Sequence, residues 1–419
     1  SAAGRTEVVR LLLEWGPLNV EEQLYKALEV ACGSGHAAIV RLLLEKGVNI
    51  NTAHGHLLQT ASHSLQIDVV RVLVDSGADV NASGGQYGNA LQAASYRGQQ
   101  EVVRLLLDAG ADAKTLGGPY HGLVQAAAMG HTEIVCMLLD AGADVNGSGG
   151  EYGNALQAAS YHGHKEVVQL LLGAEAKVEQ LDGFYHGMVQ AATDGHTEIV
   201  RMLVEAGADV NKSGGKYSNA LQAASYHGHK EVVQLLLGAE AKVEQLDGFY
   251  HGMVQAAADG HTEIVRMLVE AGADVNKSGG KYGNALEAAS YRGHEEIVRL
   301  LLDARANVKQ MGGYYYGLVQ AAAMGHTELV QILLDAGADV NGRRRNFSNA
   351  MQAASDHGHD RIVQLLRSAG ADVNRLDGLS DGLKPAAAQG NKEVAAVLRA
   401  QGAEVNTSRG KFGNADEAA

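Results

Sequence analysis

Histidine, tyrosine and aspartate recur along this chain at spacings that could support acid–base chemistry. Two sets of a phenol, an imidazole and a carboxylate occur: Tyr185, His186 and Asp194, then Tyr250, His251 and Asp259. These are groups that general acid–base catalysis uses often. Catalytic sites are usually single and enclosed, so a set that appears twice favours structure or recognition over catalysis.

A second arrangement places two histidines around a glycine, as in His162-Gly163-His164. Two imidazoles could chelate a metal, but a glycine turn between helices does not bring further ligands to them. Nine histidines follow a turn glycine or its equivalent: His36, His131, His164, His196, His229, His261, His294, His326 and His359. We interpret these histidines as structural, and we expect no metal, no cofactor and no enzymatic activity.

These residues belong to an internal repeat. Residues 151–215 return as residues 216–280 with three changes in 65 positions. Aromatic residues mark the same 65-residue step along the chain: Tyr87, Tyr152, Tyr217, Tyr282, Phe347 and Phe412. A fixed period of this kind indicates an array of stacked units.

Each 65-residue period divides into two repeats, which we call A (as in NALQAASYHGH) and B (as in HGMVQAATDGH). Each repeat predicts a first helix, a glycine turn, a second helix and a Gly-rich loop. Asn154 is a candidate helix N-cap, and Val167, Val168, Leu171 and Leu172 form an apolar stripe on a second helix. These helices are shorter than the ~12 residues that an isolated helix needs in water, so they must be stabilised by stacking.

Second helices of B repeats end at a glycine, which fits a left-handed C-terminal cap. Three A repeats place a larger residue at that position: Glu175, Glu240 and Arg305. We expect these three residues to adopt a positive φ, at a cost in stability.

The segments AASYHGHKEVVQLLLGAEAKVE and AAMGHTEIVCMLLDAGADVN resemble ankyrin repeats. The resemblance implies an all-α ankyrin-repeat solenoid with β-hairpin-like Gly-rich loops, with about 12 full repeats and a half repeat at each end. Residues 1–419 would form one array: irregular over 1–86, regular over 87–346 and divergent over 347–419. The segment YGNALQAASYRGH is similar to repeats in the long arrays of fungal intracellular proteins. Such arrays are often attached to a NACHT-type nucleotide-binding switch, although residues 1–419 contain no nucleotide-binding motif of that kind.

The resemblance also implies where a protein partner would bind, namely the concave side formed by loop tips and the ends of first helices. The residues that it implicates are Tyr96, Arg97, Tyr161, His162, Tyr226, His227, Tyr291, Arg292, Tyr185, Tyr250, Tyr315, Arg343, Arg344 and Arg345. Two readings stay open for the loop tyrosines, which either bind a partner or pack loop against loop. The arginine loop is either solvated or contacts an acidic partner.

Composition limits the other classes of function. The formal charge of −14 argues against nucleic acid as the main partner. No apolar run approaches the roughly 18 residues that span a bilayer, so we expect no membrane partner. Cys32 and Cys136 match no metal spacing, and Ser1 begins no signal peptide, which favours an intracellular, cytoplasmic setting.

We therefore expect a non-catalytic interaction scaffold whose protein partner the sequence does not identify. An alternative is head-to-tail self-assembly, because the terminal segments GNADEAA and SAAGRTEVV would together complete one repeat. The candidate residues for that joint are Val8, Val9, Leu12, Asp416 and Ala418. Asp416 opposes this alternative, since it places a carboxylate at a core position.

Overall fold

The structure is a computed structural model, and it describes a defined part of the chain. The described residues are 10, 21–51, 55–84, 87–114, 121–180, 186–245, 251–310, 316–344, 347–372 and 396. The chain divides into two compact units, the first over Ser1–Lys216 and the second over Tyr217–Ala419.

Twelve α-helices lie in the described part of the first unit. They are α1 (Glu21–Gly33), α2 (Ala37–Glu45), α3 (His56–His63), α4 (Ile67–Asp75), α5 (Ala90–Tyr96), α6 (Gln100–Asp108), α7 (Gly122–Ala128), α8 (Thr132–Asp140), α9 (Ala155–Tyr161), α10 (Lys165–Gly173), α11 (Gly187–Thr193) and α12 (Thr197–Glu205). Odd-numbered helices are first helices of a repeat, and even-numbered helices are second helices.

The second unit continues the same alternation over its described residues. Its ten α-helices are α13 (Ala220–His227), α14 (Lys230–Gly238), α15 (Gly252–Asp259), α16 (Thr262–Glu270), α17 (Ala285–Arg292), α18 (Glu295–Asp303), α19 (Gly317–Met324), α20 (Thr327–Asp335), α21 (Ala350–Asp356) and α22 (Asp360–Ser368). The described residues therefore hold eleven helix pairs, and the predicted all-α repeat architecture is confirmed. Apart from residues 10 and 396, the twelfth repeat and both half repeats lie outside the described residues.

Within each unit, successive first helices pack on one another, and successive second helices form a parallel layer behind them. First helices bury short side chains, such as Ala155, Ala158 and Ala159 of α9. Alanine allows neighbouring helices to approach closely. Second helices bury a branched stripe, which in α10 comprises Val167, Val168 and Leu171, whereas Leu172 is only half-buried.

The first helix of every described regular A repeat begins with a capping asparagine. Asn154 Oδ1 accepts a hydrogen bond from the backbone N–H of Gln157 at 2.8 Å, which confirms the predicted cap. The same bond recurs at Asn89, Asn219, Asn284 and Asn349. Each bond satisfies one of the N–H groups that a helix start leaves without a partner.

The predicted strained caps are confirmed. Glu175, Glu240 and Arg305 have φ values of 65°, 62° and 64°, in the left-handed region. Leu65, which occupies a turn-glycine position in the irregular N-terminal repeats, has φ 59°. Ser218, which replaces Gly153 of the preceding period, has φ 71° and was not anticipated.

The loop before each first helix, which we call a finger, connects neighbouring repeats through backbone and side-chain hydrogen bonds. Asn146 Oδ1 accepts from the backbone N–H of Lys177 at 2.8 Å, and Asn276 Oδ1 accepts from the N–H of Asn307 at 2.6 Å. In one finger the backbone forms a short antiparallel hairpin of β1 (Arg343–Arg344) and β2 (Phe347–Asn349). No helix in the described residues is long and apolar enough to cross a membrane.

Candidate functional site

The fold brings together two groups of aromatic residues that are separate in the sequence. In the A repeat that contains α9, the ring of the finger residue Tyr152 lies 5.6 Å from that of Tyr161 and 5.0 Å from that of His162. The next period repeats this cluster, where Tyr217 lies 5.2 Å from Tyr226 and 4.9 Å from His227. Each A repeat of this type therefore carries one compact aromatic cluster at the end of its first helix.

Exposure differs between the two parts of a cluster. Tyr161 and Tyr226 are half-buried at the helix end, and His162 and His227 beside them are exposed. By contrast, the finger residue Tyr217 is only 7% exposed and its equivalent Tyr282 is 5% exposed. This burial favours a packing role for these two finger tyrosines, while the helix-end pairs remain accessible to a partner.

The histidines after the turn glycines connect successive repeats. His164 Nε2 lies 2.9 Å from the carbonyl oxygen of Ala128, and His294 Nε2 lies 3.0 Å from that of Ala258. Their rings cover the turn glycine of the preceding repeat, so that a Cβ at Gly260 would lie 2.8 Å from His294 Cε1. These contacts support the structural interpretation of this histidine series.

The suggested acid–base set does not assemble. His186 is buried at the start of α11, whereas Asp194 is exposed at its far end and accepts from Gln190 Nε2 at 2.8 Å. A helix of this length separates its two ends by roughly 10 Å. Tyr185 lies outside the described residues. Within the described part of the chain, no group of three or more His, Cys, Asp or Glu residues could hold a metal.

Glutamines line the buried starts of the A helices. Gln157 is 4% exposed, and its Nε2 donates to the carbonyl oxygen of Tyr152 at 2.8 Å, which ties the finger to the helix. Glu287 takes this position in α17 and is 1% exposed. It lies near Tyr316, whose pKa is raised by burial and further by the negative charges of Asp339 and Glu287.

The two cysteines differ in their surroundings. Cys32 is buried in α1, and burial, aided by the negative charge of Glu29, raises the pKa of its thiol to about 12. Cys136 in α8 is half-buried. Because a reactive cysteine needs thiolate at neutral pH, Cys32 is suited to packing.

Models of known families match most of the chain. The model described as "Ankyrin repeats (3 copies)" matches residues 1–54, 54–117, 155–247, 221–312 and 318–409, and "Ankyrin repeats (many copies)" matches residues 123–172. The chain belongs to the ankyrin repeat family. No curated protein matches it at a significant level. Among solved structures, it is similar to the human ASB11 ankyrin repeat domain, with 25% identity over 51% of this chain and 98% of that one and a TM-score of 0.43.

Comparison of the ankyrin repeats with one another reveals a charge pattern that the sequence reasoning missed. In two periods the residue before the turn glycine of the A repeat is arginine, at Arg97 and Arg292, and that of the following B repeat is methionine, at Met129 and Met324. In the two periods between them the corresponding residues are histidine and aspartate: His162, Asp194, His227 and Asp259. The B fingers follow the same division, with Lys114, Glu179, Glu244 and Lys309 at one position. The array therefore carries two kinds of surface.

The last described A repeat departs from both kinds. Asp356 occupies the position of Tyr161, and burial raises the pKa of its carboxyl to about 6, against the opposing effect of His357. Among the described residues, Asp356 Oδ1 is buried and has no hydrogen-bond partner. This ankyrin repeat thus has a carboxyl group where the others have an aromatic ring.

Several of the residues implicated by the sequence cannot be placed. Tyr185, Tyr250, Tyr315, Arg345, Val8, Val9, Leu12, Asp416 and Ala418 lie outside the described residues. For Arg343 and Arg344 only the backbone strand is described. The roles suggested for these residues in the ankyrin array stay predictions.

Proposed function

We propose that this chain is a non-catalytic protein-binding array that recognises its partner with the first-helix ends and fingers of its A repeats. Ankyrin repeats in general mediate protein–protein interactions. The observation that carries the proposal is the series of half-exposed aromatic clusters, of which Tyr152, Tyr161 and His162 form one. Aromatic rings supply contact area at low entropic cost and are enriched in interfaces.

The repetition of these clusters suggests an extended or repetitive partner. Residues 151–215 and 216–280 are nearly identical, so a cluster and its surroundings occur at least twice with the same chemistry. The likeness of YGNALQAASYRGH to fungal arrays further suggests the sensor region of a larger intracellular, cytoplasmic protein. The lack of a disulfide, with Cys32 and Cys136 both free thiols, supports that setting.

The experiment combines Tyr161→Ala with Tyr226→Ala. Peptides of 12 residues selected from a random phage-displayed library on the full chain serve as the probe. We expect the double variant to bind the selected peptides about tenfold more weakly, since truncated interface aromatics often cost more than 1 kcal/mol. The circular dichroism spectrum should not change.

The matched control combines Glu166→Ala with Glu231→Ala on the second helices α10 and α14, where both side chains are exposed. This variant should bind as the parent chain does. Weaker binding by the control alone would move recognition to the second-helix face and overturn the proposal. A loss of helical signal in the tyrosine variant would show that these tyrosines stabilise the fold.

The head-to-tail alternative concerns residues outside the described part of the chain and stays a prediction. Its direct test is sedimentation of the chain and of the Asp416→Leu variant at micromolar concentration. Association that strengthens in the variant would support a joint that Asp416 weakens, and a monomer in both cases would contradict it.

A further inference from the structure

We propose that one surface of the second unit binds an extended acidic protein segment that carries a large apolar side chain. This surface, the Tyr291 patch, comprises Lys281, Tyr282, Tyr291, Arg292, Lys309 and Met324. The inference rests on the proposed function and specifies the partner chemistry at one site of the array.

Ring contacts connect the finger to the end of α17. The rings of Tyr282 and Tyr291 have their centroids 5.7 Å apart, and Lys281 Nζ lies 4.8 Å from the centre of the Tyr282 ring. Tyr282 is buried, whereas Tyr291 is half-buried and Lys281 is exposed. The buried ring of Tyr282 is thus in contact with both the half-exposed ring of Tyr291 and the exposed ammonium group of Lys281.

Met324 extends this surface on the neighbouring repeat. The ends of successive first helices lie within side-chain reach of one another, as the 3.9 Å contact between Asp259 and Arg292 shows. Met324 ends α19, which packs directly on α17, and its side chain is 61% exposed. A flexible, polarisable thioether at the surface beside an aromatic ring is typical of adaptable binding sites.

The local charge of the patch opposes that of the chain. Lys281, Arg292 and Lys309 are exposed, and the Asn276–Asn307 hydrogen bond holds the finger of Lys309 beside that of Lys281. Asp259 of the preceding repeat lies 3.9 Å from Arg292, Glu244 is exposed on the finger before the patch, and Glu287 is buried at the start of α17. The described residues of the patch thus present three exposed cations and no exposed acid, so the patch complements an anionic partner.

A protein segment fits this surface better than a nucleic acid does. The repeat before the patch exposes two carboxylates, Glu244 and Asp259. A uniform phosphate backbone would meet these carboxylates as well as the lysines. A polypeptide can place acidic side chains against Arg292 and Lys309 and an apolar side chain against Met324 and Tyr291.

The first unit provides an internal comparison. Tyr96, Arg97, Lys114 and Met129 repeat the residue types of the Tyr291 patch three periods earlier, and Met129 is 46% exposed. Their own finger has Gln86 in place of Lys281, and the next A finger has Glu151. Because the surroundings are less positive, we expect this surface to bind the same segment more weakly.

The test selects random 12-residue phage-displayed peptides on the full chain and measures the binding of the strongest synthetic peptides by fluorescence anisotropy. We expect the selected peptides to have a net negative charge and to contain Leu, Phe, Met or Trp. Arg292→Glu with Lys309→Glu should weaken binding about tenfold. The matched pair Arg97→Glu with Lys114→Glu should weaken it less than about twofold. Met324→Ala should likewise cost more affinity than Met129→Ala.

Unchanged circular dichroism will establish that these exposed substitutions leave the fold intact. Neutral or basic peptides, or equal effects of the two charge-reversal pairs, would overturn the inference. Poly-glutamate lacks a large apolar side chain. If it displaced the labelled peptide as strongly as the unlabelled selected peptide does, that result would also overturn the inference. Selected peptides whose binding is weakened by the Tyr161→Ala and Tyr226→Ala variant, but not by substitutions in the Tyr291 patch, would overturn the inference and leave the proposed function standing. Binding that is weakened only by second-helix variants would overturn both.

Discussion

At the scale of single residues, several positions of this array hold a residue type that is unfavourable there. Some have a side chain in a left-handed backbone conformation, and one has a carboxyl group at a half-buried position. Glu175, Glu240, Arg305 and Ser218 adopt positive φ values where equivalent repeats have glycine. Asp356 places a carboxyl in a half-buried aromatic position. We expect each of these residues to lower stability without changing the fold, because stacking on neighbouring repeats fixes the local geometry.

Replacing the cap residue Glu175 with glycine should stabilise the chain. A β-carbon in the left-handed region costs roughly 1 kcal/mol, so the Glu175→Gly variant should raise the free energy of unfolding by about that amount. Denaturant titration followed by circular dichroism measures the change. The reciprocal control is Gly207→Ala, where φ is 87° and an added Cβ meets no atom within 4 Å. A gain of stability in the control, or a loss in Glu175→Gly, would contradict the role of φ.

Asp356 should make stability depend on pH between about 4 and 6. Its folded pKa is about 6, above the ordinary value near 3.9, so the folded chain binds this proton more tightly than the unfolded chain. Its contribution is therefore fully present below pH ~4 and is lost as the pH rises through ~6. Asp356→Asn should remove this decrease and be more stable at pH 7 by about 1 kcal/mol, after allowance for solvent screening.

Unfolding midpoints of both chains at intervals between pH 4 and pH 7 would measure this difference. His357→Gln serves as the control, because the charge of His357 favours the ionised Asp356 and its removal should deepen the decrease. Parallel pH profiles of the parent chain and Asp356→Asn would show that another group titrates in this range.

At the scale of helices, A and B repeats are not interchangeable. The first helices of two B repeats, α11 and α15, begin with a glycine that lies close to the preceding A helix. A Cβ at Gly252 would lie 2.8 Å from Ser225 Cβ and 2.9 Å from the carbonyl oxygen of Gln222. Helix α17 of the next A repeat begins with Ala285 instead. We therefore expect a B helix to fit better than an A helix after an A repeat at these positions.

Deletions within the second unit test this requirement. Removing residues 251–315 deletes two repeats and brings Gly317 to the place of Gly252, so the shortened chain should keep its helical signal and cooperative unfolding. Removing residues 251–283 deletes one repeat and brings Ala285 against Ser225 and Gln222. We expect the second chain to be less stable than the first by at least 1 kcal/mol, since close-packed interfaces tolerate added volume poorly. Equal stability of the two chains would show that either repeat can follow an A repeat.

At the scale of the whole chain, charge divides unevenly. Residues 1–216 contain 14 basic and 24 acidic residues, whereas residues 217–419 contain 20 basic and 24 acidic residues. The first part therefore carries a formal charge of −10 and the second −4, which together give the −14 of the chain. This difference agrees with the location of the Tyr291 patch in the less acidic part. It also gives an anionic partner an electrostatic reason to prefer that part.

The sequence by itself determined the repeat, the helix pairs, the asparagine caps and the positive φ of Glu175, Glu240 and Arg305. These features depend on a few adjacent residues and on a register that the 65-residue period makes visible. Tertiary structure decided which aromatic rings meet and which stay exposed. Tyr152 and Tyr217 occupy equivalent positions in nearly identical segments, yet Tyr152 is half-buried and Tyr217 is 7% exposed. The residue before the ring differs, Glu151 against Lys216, and in the next period Lys281 Nζ lies 4.8 Å from the centre of the buried Tyr282 ring. Whether such a side chain covers the ring depends on the distances between side chains, which the residue pattern does not record.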